Sequence, residues 1–493
     1  MEEQKSQNIT GQVASGMIWR FMERILAQTV SFVVSIVLAR LLDPEHYAVV
    51  SMTMIFISIA NVFVSEGIGK ALVQKHNATQ EDFSSVFYVN LSLSILLYIV
   101  LFFCAPIISS FYHEPVLVST LRVLSLRLPL AAVNSIQHAY VARNMQFKLF
   151  FKATIVGTVI SAGVGLTLAY FGFGVWALVA QYLTNSFIDT IMLWFMVKWR
   201  PKLLFNYSRV KGLLRFGASI LLSGLINSLY NNLSSFLIGK WYTKSDLAYF
   251  TKGKHYPELI ITNINSSLGT VLYPAFSKLQ KNTARLKEAM KKAIRIDTFI
   301  IFPMMVLLFV LSPELVSLLL TDKWLPCVIY IRISCIYLSL YPINTTNLQA
   351  IMALGEGRTY LRLNIIKKVI GVVLILCVLP LGVVWVALCE ILVSIISVVV
   401  NVSANKRLLN YTFKELIVDM GRNLALSLFM AAVMFGAKML LLAPIGSKLA
   451  VIMISGFAGV LFYIAIAYCL KIDELQLVEN IILKIVRRKG TSS

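Results

Sequence analysis

The chain contains 493 residues, of which 58% are hydrophobic and 14% charged, and its formal net charge is +22. Soluble globular domains carry about 25% charged residues, so this composition excludes a soluble globular protein. Apolar runs of about 20 residues recur from end to end, and each is long enough to cross a bilayer as a helix. The basic residues lie in short segments between these runs, which favours cytoplasmic loops over a nucleic-acid-binding surface.

Hydropathy predicts an all-α polytopic membrane protein with about fourteen transmembrane helices. In chain order, the predicted helices cover 16–41, 46–73, 83–109, 116–142, 149–170, 174–197, 212–239, 246–275, 290–312, 326–353, 361–380, 382–403, 420–443 and 449–470. An even number of spans places both termini on the same side of the membrane. The amino terminus lacks the basic region and cleavage site of a signal peptide, so we expect the first helix to be retained.

Basic residues alternate along the predicted loops. Most of the 45 Lys and Arg residues fall in the even-numbered connections and at the two termini, whereas odd-numbered connections such as "YFGFG" are nearly bare. Because cytoplasmic loops collect Lys and Arg, we predict that both termini are cytoplasmic. The basic segments 276–292 and 471–489 are predicted to be amphipathic helices at the membrane surface, the first with Leu286, Met290 and Ala293 on one face.

A basic linker, "KWRPKLLFNYSRVK", follows the sixth predicted helix. We therefore predict a lobe of six helices in 1–200, a second lobe of six helices in 201–404, and a helix pair with a cytoplasmic amphipathic tail in 405–493. The stretches Arg40–Ala48 and Lys240–Ala248 match at an offset of 200 residues, each with a basic residue at a helix end. The offset contains an even number of helices, which predicts a parallel repeat.

Polar side chains recur at steps of three and four in the first two helices of each lobe, which places them on one helix face. Small polar residues also join membrane helices to one another, whereas Arg and Lys in a span need water, a partner or an anionic ligand. A water-filled cavity between the lobes would satisfy all of them. Its predicted lining is Glu23, Gln28, Asn61, Glu66, Lys70, Arg122, Asn227, Asn231, Tyr256 and Asn263.

The most basic part of this cavity is predicted to hold an anion. Arg20 and Arg24 lie one turn apart in the first helix, and Lys252 lies in the eighth. Guanidinium forks bind phosphate oxygens through two parallel hydrogen bonds. The alternative interpretation is an Arg–Glu pair, made with Glu23, at the level of the cytoplasmic headgroups.

Asp189 and Glu390 are the acids deepest in the predicted spans, which makes them candidates for coupling to a proton or sodium ion. Structural salt bridges are the alternative. The sequence shows no catalytic constellation, nucleotide-binding loop or metal-ligand spacing, so we expect no catalytic residues, no metal and no cofactor. The six cysteines form no C-x-x-C pair and are expected to be reduced.

Two stretches carry a family resemblance: "GMIWRFMERILAQTVSFVVSIVLARLLDPEHYAVVSM" from Gly16 and "SDLAYFTKGKHYPELIITNINSSLGTVLYPAFSKLQ" from Ser245. They resemble the polysaccharide transporter (Wzx-type) flippases of the multidrug/oligosaccharidyl-lipid/polysaccharide exporter superfamily. The resemblance implies two six-helix bundles with an added helix pair, alternating access, and an undecaprenyl-diphosphate-linked oligosaccharide as cargo. Arg20, Arg24 and Lys252 would bind the diphosphate.

The resemblance also implies a bacterial inner-membrane location and a role in capsule, exopolysaccharide or lipopolysaccharide assembly. Membrane lipids, the lipid-linked glycan and a glycan polymerase or export machinery would be its partners. The main competing function is a cation-coupled multidrug exporter of the same superfamily, for which an acidic cavity is expected. A membrane glycan polymerase or acyltransferase, with His138 as the nearest catalytic candidate, and a non-transporting scaffold are also compatible with a polytopic chain.

Overall fold

The computed structural model describes residues 22, 25–65, 72, 79–144, 146–445 and 447–476. All regular secondary structure in these residues is helical, and they contain no β-strand. Five of the predicted site residues lie outside the described residues: Arg20, Glu23, Arg24, Glu66 and Lys70.

The chain divides into two compact units, 1–248 and 249–493. The helices of the first unit are α1 Ile25–Leu41, α2 Pro44–Ser65, α3 Gln80–Tyr112, α4 Val116–Leu124, α5 Arg127–Arg143, α6 Phe147–Tyr170, α7 Val175–Met196 and α8 Tyr207–Trp241. Helices α6 and α7 form a closely packed hairpin, α3 packs against α4 and α5, and α8 packs against α2. The apolar core at one end contains Phe83, Phe87, Phe150 and Trp199.

Helix α9, Lys244–Leu279, begins in the first unit and continues into the second. The remaining helices are α10 Thr283–Leu320, α11 Val328–Ser339, α12 Tyr341–Ala353, α13 Gly357–Val378, α14 Val383–Leu409, α15 Phe413–Ile445 and α16 Lys448–Cys469, with 3₁₀ turns at Asp322–Cys327 and Leu379–Leu381. In this unit α10 is the central helix, because α11, α12, α15 and α16 all pack against it.

The all-α polytopic fold is confirmed. The described helices lie at the positions of the predicted spans, with α4 and α5 sharing the fourth and α11 and α12 sharing the tenth. Ten helical segments of the described residues are long and apolar enough to cross a membrane. The count of fourteen crossings and the three-part division at 200 and 404 stay predictions.

The repeat seen in the sequence extends to the helix boundaries. Helices α1 and α8 end at Leu41 and Trp241, and α2 and α9 begin at Pro44 and Lys244, so both breaks keep the offset of 200 residues. A capping box begins α9: the Asp246 N–H donates to Thr243 Oγ1 over 3.2 Å, and the Thr243 N–H donates to Asp246 Oδ2 over 3.3 Å. In the first copy, the Asp43 N–H donates to His46 Nδ1 over 3.2 Å.

Proline residues interrupt the hydrogen bonding of α3 and α10. Proline has no N–H, so the carbonyl four residues earlier loses its helical donor. The three carbonyls concerned belong to Phe102, before Pro106, and to Phe299 and Phe309, before Pro303 and Pro313. Each of these carbonyls receives a side-chain donor instead.

The replacement donors come from neighbouring helices. Arg122 Nε donates to the Phe102 carbonyl over 3.2 Å, and Arg332 Nε donates to the Phe309 carbonyl over 3.3 Å. In both pairs the guanidinium also lies over the phenylalanine ring, 4.3 and 5.4 Å from its centroid. The third carbonyl, of Phe299, accepts a hydrogen bond of 2.9 Å from the Tyr463 hydroxyl. The Arg122–Phe102 pair joins the third span to the fourth, and the Arg332–Phe309 pair joins the ninth span to the tenth. The two units therefore share this arrangement.

The segment 276–292 differs from its prediction as a membrane-surface helix. Its helical part begins at Thr283 as the first turns of α10, after an Asn282 cap that accepts a 3.0 Å hydrogen bond from the Arg285 N–H. Leu286 and Met290 are fully buried and pack in one cluster with Tyr411 of the α14–α15 connection. The apolar face therefore packs inside the protein and does not lie on the membrane surface. This segment forms the first turns of α10, which is one helix of 38 residues.

We predict that the Arg122 hydrogen bond contributes to the stability of the folded protein because Pro106 leaves the Phe102 carbonyl without a helical donor. Replacing Arg122 with Leu leaves the carbonyl of the half-buried Phe102 without a donor and should destabilise the protein by about 1–3 kcal/mol. In a Pro106→Ala background the alanine N–H can serve the Phe102 carbonyl, so the same Arg122→Leu change should cost less. Unfolding of the detergent-solubilised chain would measure both costs. Equal losses of stability in the two backgrounds would contradict this explanation. In the second unit, Arg332→Leu with and without Pro313→Ala is the matched pair of measurements.

Candidate functional site

The described cavity residues of the first unit lie on α1, α2, α4 and α8. Gln28 and Asn61 are half-buried on α1 and α2, whereas Asn227 and Asn231 are exposed on α8. Arg122 is half-buried on α4 and donates its Nε to the Phe102 carbonyl. These positions leave the lining of a cavity between the lobes a prediction.

A polar seam joins α5 to α7 inside the first unit. It consists of Arg127, Asn134 and His138 on α5 and of Ser186 and Asp189 on α7. Arg127 Nε donates to Ser186 Oγ over 2.8 Å, and Asn134 Nδ2 donates to Asp189 Oδ2 over 3.2 Å. His138 Nε2 lies 3.8 Å from the same carboxylate oxygen. Asp189, the candidate for ion coupling, therefore has an amide and an imidazole as partners, and its coupling role stays a prediction.

The seam follows from helical spacing. Steps of seven and four along α5 bring its three polar side chains to one face, and a step of three does the same for the two on α7. The sequence points to Asp189 and His138 separately and does not predict their contact. The signal that could have found it is the shared face on α5, although the partner helix follows only from the tertiary packing.

Lys252 is enclosed by aromatic rings in the second unit. It is 7% exposed, and its ammonium lies 5.7 Å from the Trp324 ring centroid and 5.8 Å from that of Tyr256. The negative face of an aromatic ring stabilises such a cation. The role of Lys252 as a diphosphate ligand stays a prediction, which requires the ammonium to leave this enclosure. The neighbouring Lys254 pairs with Glu258 over 3.5 Å.

The remaining predicted residues of this unit lie apart from Lys252 along the helices. Asn263 of α9 donates its Nδ2 to the carbonyl of Leu259, one turn earlier, over 2.7 Å. Glu390 is half-buried on α14. The roles of Asn263 in the cavity lining and of Glu390 in ion coupling also stay predictions.

An asparagine ladder that was not predicted from the sequence joins α12 to α14. Asn401 Nδ2 donates to Asn344 Oδ1 over 2.9 Å, and Asn405 Nδ2 donates to Asn347 Oδ1 over 2.7 Å. The buried ammonium of Lys367, on α13, donates to Asn401 Oδ1 over 3.1 Å. The signal was present in the sequence, because asparagines three and four apart lie on one helix face.

Gly253 allows α9 to approach α11 closely. A Cβ atom at this position would lie 2.5 Å from the Cβ of Tyr330 and 2.9 Å from the carbonyl oxygen of Cys327. Both distances are too short for contact, so the glycine is required by packing.

We predict that Gly253→Ala destabilises the chain by about 1–3 kcal/mol, because the added methyl group overpacks the contact between α9 and α11. Gly212→Ala is the matched control, since a Cβ there would meet no atom within 4 Å. Thermal unfolding of the two purified variants is the measurement. Equal unfolding temperatures for both variants and the wild type would contradict the close contact.

Comparison with known proteins finds a relative that is named as a transport protein. The chain is 23% identical over 306 residues to the "Succinoglycan biosynthesis transport protein ExoT" of Rhizobium meliloti (strain 1021), and the match covers 62% of each chain. The matched part is thus slightly less than two thirds of that relative.

Two solved structures share the fold. The "Lipid II flippase MurJ, inward closed conformation" aligns with a TM-score of 0.75 and 17% identity, over 93% of this chain and 98% of that chain. An inward-facing "multidrug resistance MATE family transporter of the MOP superfamily" aligns with a TM-score of 0.59 and 18% identity, over 78% of this chain and 96% of that chain.

The family assignment comes from the sequence model of the family described as "Polysaccharide biosynthesis protein", which matches residues 37–329. This region is more than half of the 493 residues and includes parts of both units. The chain is therefore a multi-pass membrane protein that belongs to the polysaccharide biosynthesis protein family.

Proposed function

We propose that the protein is a flippase that moves an undecaprenyl-diphosphate-linked oligosaccharide from the cytoplasmic to the external leaflet of a bacterial inner membrane. The observation that carries the proposal is membership of a polysaccharide biosynthesis family combined with a flippase-like fold. A relative named for succinoglycan biosynthesis transport supports a glycan as cargo. The cargo would serve capsule, exopolysaccharide or lipopolysaccharide assembly.

The binding chemistry of the proposal follows from charge. A diphosphate is a dense anion that must leave water to cross the bilayer, and cationic groups in the spans would replace its hydration. Arg20, Arg24 and Lys252 are the proposed ligands of the diphosphate. The sugars would contact hydroxyl and amide groups of the second, seventh and eighth spans, including those of Asn61 and Asn227.

The proposed movement is alternating access, in which the helices of 1–200 rock against those of 201–404. Lys252 would exchange its aromatic enclosure for phosphate oxygens during this cycle. The movement itself makes or breaks no covalent bond, so we propose a transporter rather than an enzyme. Both termini are proposed to be cytoplasmic, as the distribution of basic residues indicates.

The multidrug exporter is the second candidate, and its support is the shared fold with the MATE transporter. A cation exporter needs acidic groups that attract its cargo. The net charge of +22 and the basic residues in the first and eighth spans favour an anionic cargo instead.

We predict that depletion of the protein causes one undecaprenyl-diphosphate glycan to accumulate, because its transport to the external leaflet stops. Mass spectrometry of extracted lipids would identify that glycan. Wild-type protein should clear it, and a normally inserted Arg24→Ala variant should clear it several-fold more slowly. Lys281→Ala, which removes an exposed basic residue from the α9–α10 turn, is the matched control and should behave like wild type.

Two results would contradict parts of this proposal. Full clearance by both Arg24→Ala and Arg20→Ala would reject the diphosphate ligands while leaving the flippase intact. Absence of any accumulating glycan, together with increased sensitivity to cationic drugs, would reject the flippase and favour the exporter.

A further inference from the structure

Asp297 is an acid in the interior of the second unit that the proposed cargo site does not use. The residue is 1% exposed on α10, the central helix of that unit. Its Oδ2 accepts a 3.0 Å hydrogen bond from the Thr346 hydroxyl of α12. Its Oδ1 is buried and has no hydrogen-bond partner in the described part of the chain.

The charged groups around α10 are bound elsewhere. Arg295, two residues earlier, pairs with Asp419 of α15 over 2.6 Å, and Arg332 of α11 is bound to the Phe309 carbonyl. At the far end of α10, Glu314 pairs with Lys438 of α15 over 2.7 Å.

The remaining helices that pack against α10 add no partner either. Helix α12 contains no charged residue, and α16 contains only Lys448, which bonds to Ser317. The charged residues of α14 are Glu390, Lys406 and Arg407, and those of the 3₁₀ turn after α10 are Asp322 and Lys323. No salt bridge joins any of these to Asp297 among the described residues.

An ionised carboxylate in such surroundings is costly. Removing a carboxylate from water costs several kcal/mol unless a cation or several donors compensate, and Asp297 has one hydroxyl donor. Divalent metal cations would need about six oxygen ligands, of which Thr346 supplies one. The neutral carboxyl is the form that one hydroxyl partner and one unbonded oxygen can accommodate at least cost.

We propose that Asp297 and Thr346 form a proton-binding site, which is occupied in the enclosed conformation of the structure and exchanges its proton with water when α10 and α12 separate. The exchange is a simple dissociation of the carboxyl group into carboxylate and a proton. Coupling of this exchange to cargo movement rests on the proposed function, whereas the protonation itself does not. Asp297 is separate from Asp189 and Glu390, the acids singled out by their depth in the spans.

Infrared spectroscopy of the purified full-length protein tests the protonation directly. Wild-type protein at neutral pH should show the carbonyl band of a protonated carboxyl group, and Asp297→Asn should lose it. Asp322→Asn is the matched control, because Asp322 is 70% exposed, and it should keep the band. An unchanged band in Asp297→Asn would overturn the proposal. Thr346→Val, which removes the hydrogen bond and keeps the carboxyl group, should shift the band and serves if Asp297→Asn fails to fold.

Two further measurements distinguish a proton from a metal cation and binding from coupling. Sodium-dependent stabilisation that Asp297→Asn abolishes would overturn the proton site in favour of a monovalent cation. In proteoliposomes, an imposed pH gradient should change the rate of wild-type glycan transport, and Asp297→Asn should lose that response while Asp322→Asn keeps it. A gradient response retained by Asp297→Asn would reject coupling, whereas absence of wild-type transport would reject the proposed function and leave the infrared result standing.

Discussion

The absence of water in the bilayer interior is the constraint on which this structure depends. Every backbone N–H and C=O group there must find a partner within the protein, and a continuous helix is the simplest solution. Prolines in α3 and α10 remove the helical hydrogen-bond donor of three carbonyls. Side chains of neighbouring helices replace the missing donors, because Arg122, Arg332 and Tyr463 donate hydrogen bonds to these carbonyls. The proline positions in two long helices are thereby tied to the positions of the helices that supply the donors.

This arrangement also explains two arginines in the interior of a membrane protein. A charged side chain in a span costs about 2.5–3.5 kcal/mol on insertion scales. Arg122 and Arg332 offset part of that cost, because each donates a hydrogen bond to a carbonyl that lacks a helical donor and also lies over an aromatic ring. Position in the sequence alone groups Arg122 with the cavity lining. Its Nε hydrogen bond shows that a basic residue in a span has a structural use that does not require a ligand.

The sequence predicted the helices well and their side-chain contacts poorly. The offset of 200 residues between Arg40–Ala48 and Lys240–Ala248 carries through to the helix ends, because local capping chemistry sets those ends. The paired F-x-x-x-P stretches at Phe102 and Phe309 are visible in the sequence, but their donors lie on helices that no local pattern identifies.

Contacts between helices could not be read from periodicity. A repeated polar face shows which residues share a side, and it does not show which helix covers that side. The amphipathic face of 276–292 demonstrates this limit, since Leu286 is buried in one cluster with Tyr411 and does not face lipid. For the same reason the aromatic enclosure of Lys252 was not foreseen, because Trp324 lies in a later turn of the chain.

Charges in the second unit fall into two groups that differ in their partners. Those that join α10 to α15 are paired, as in Arg295–Asp419 and Lys438–Glu314, and an acid and a base held together in this way fix two helices against each other. Asp297 and Lys367 have only neutral hydrogen-bond partners, a hydroxyl and an amide, although an acid and a base in one unit could have been paired. Pairing would have lowered the cost of burying either charge. The neutral surroundings of Asp297 therefore agree with the proton site proposed for Asp297 and Thr346.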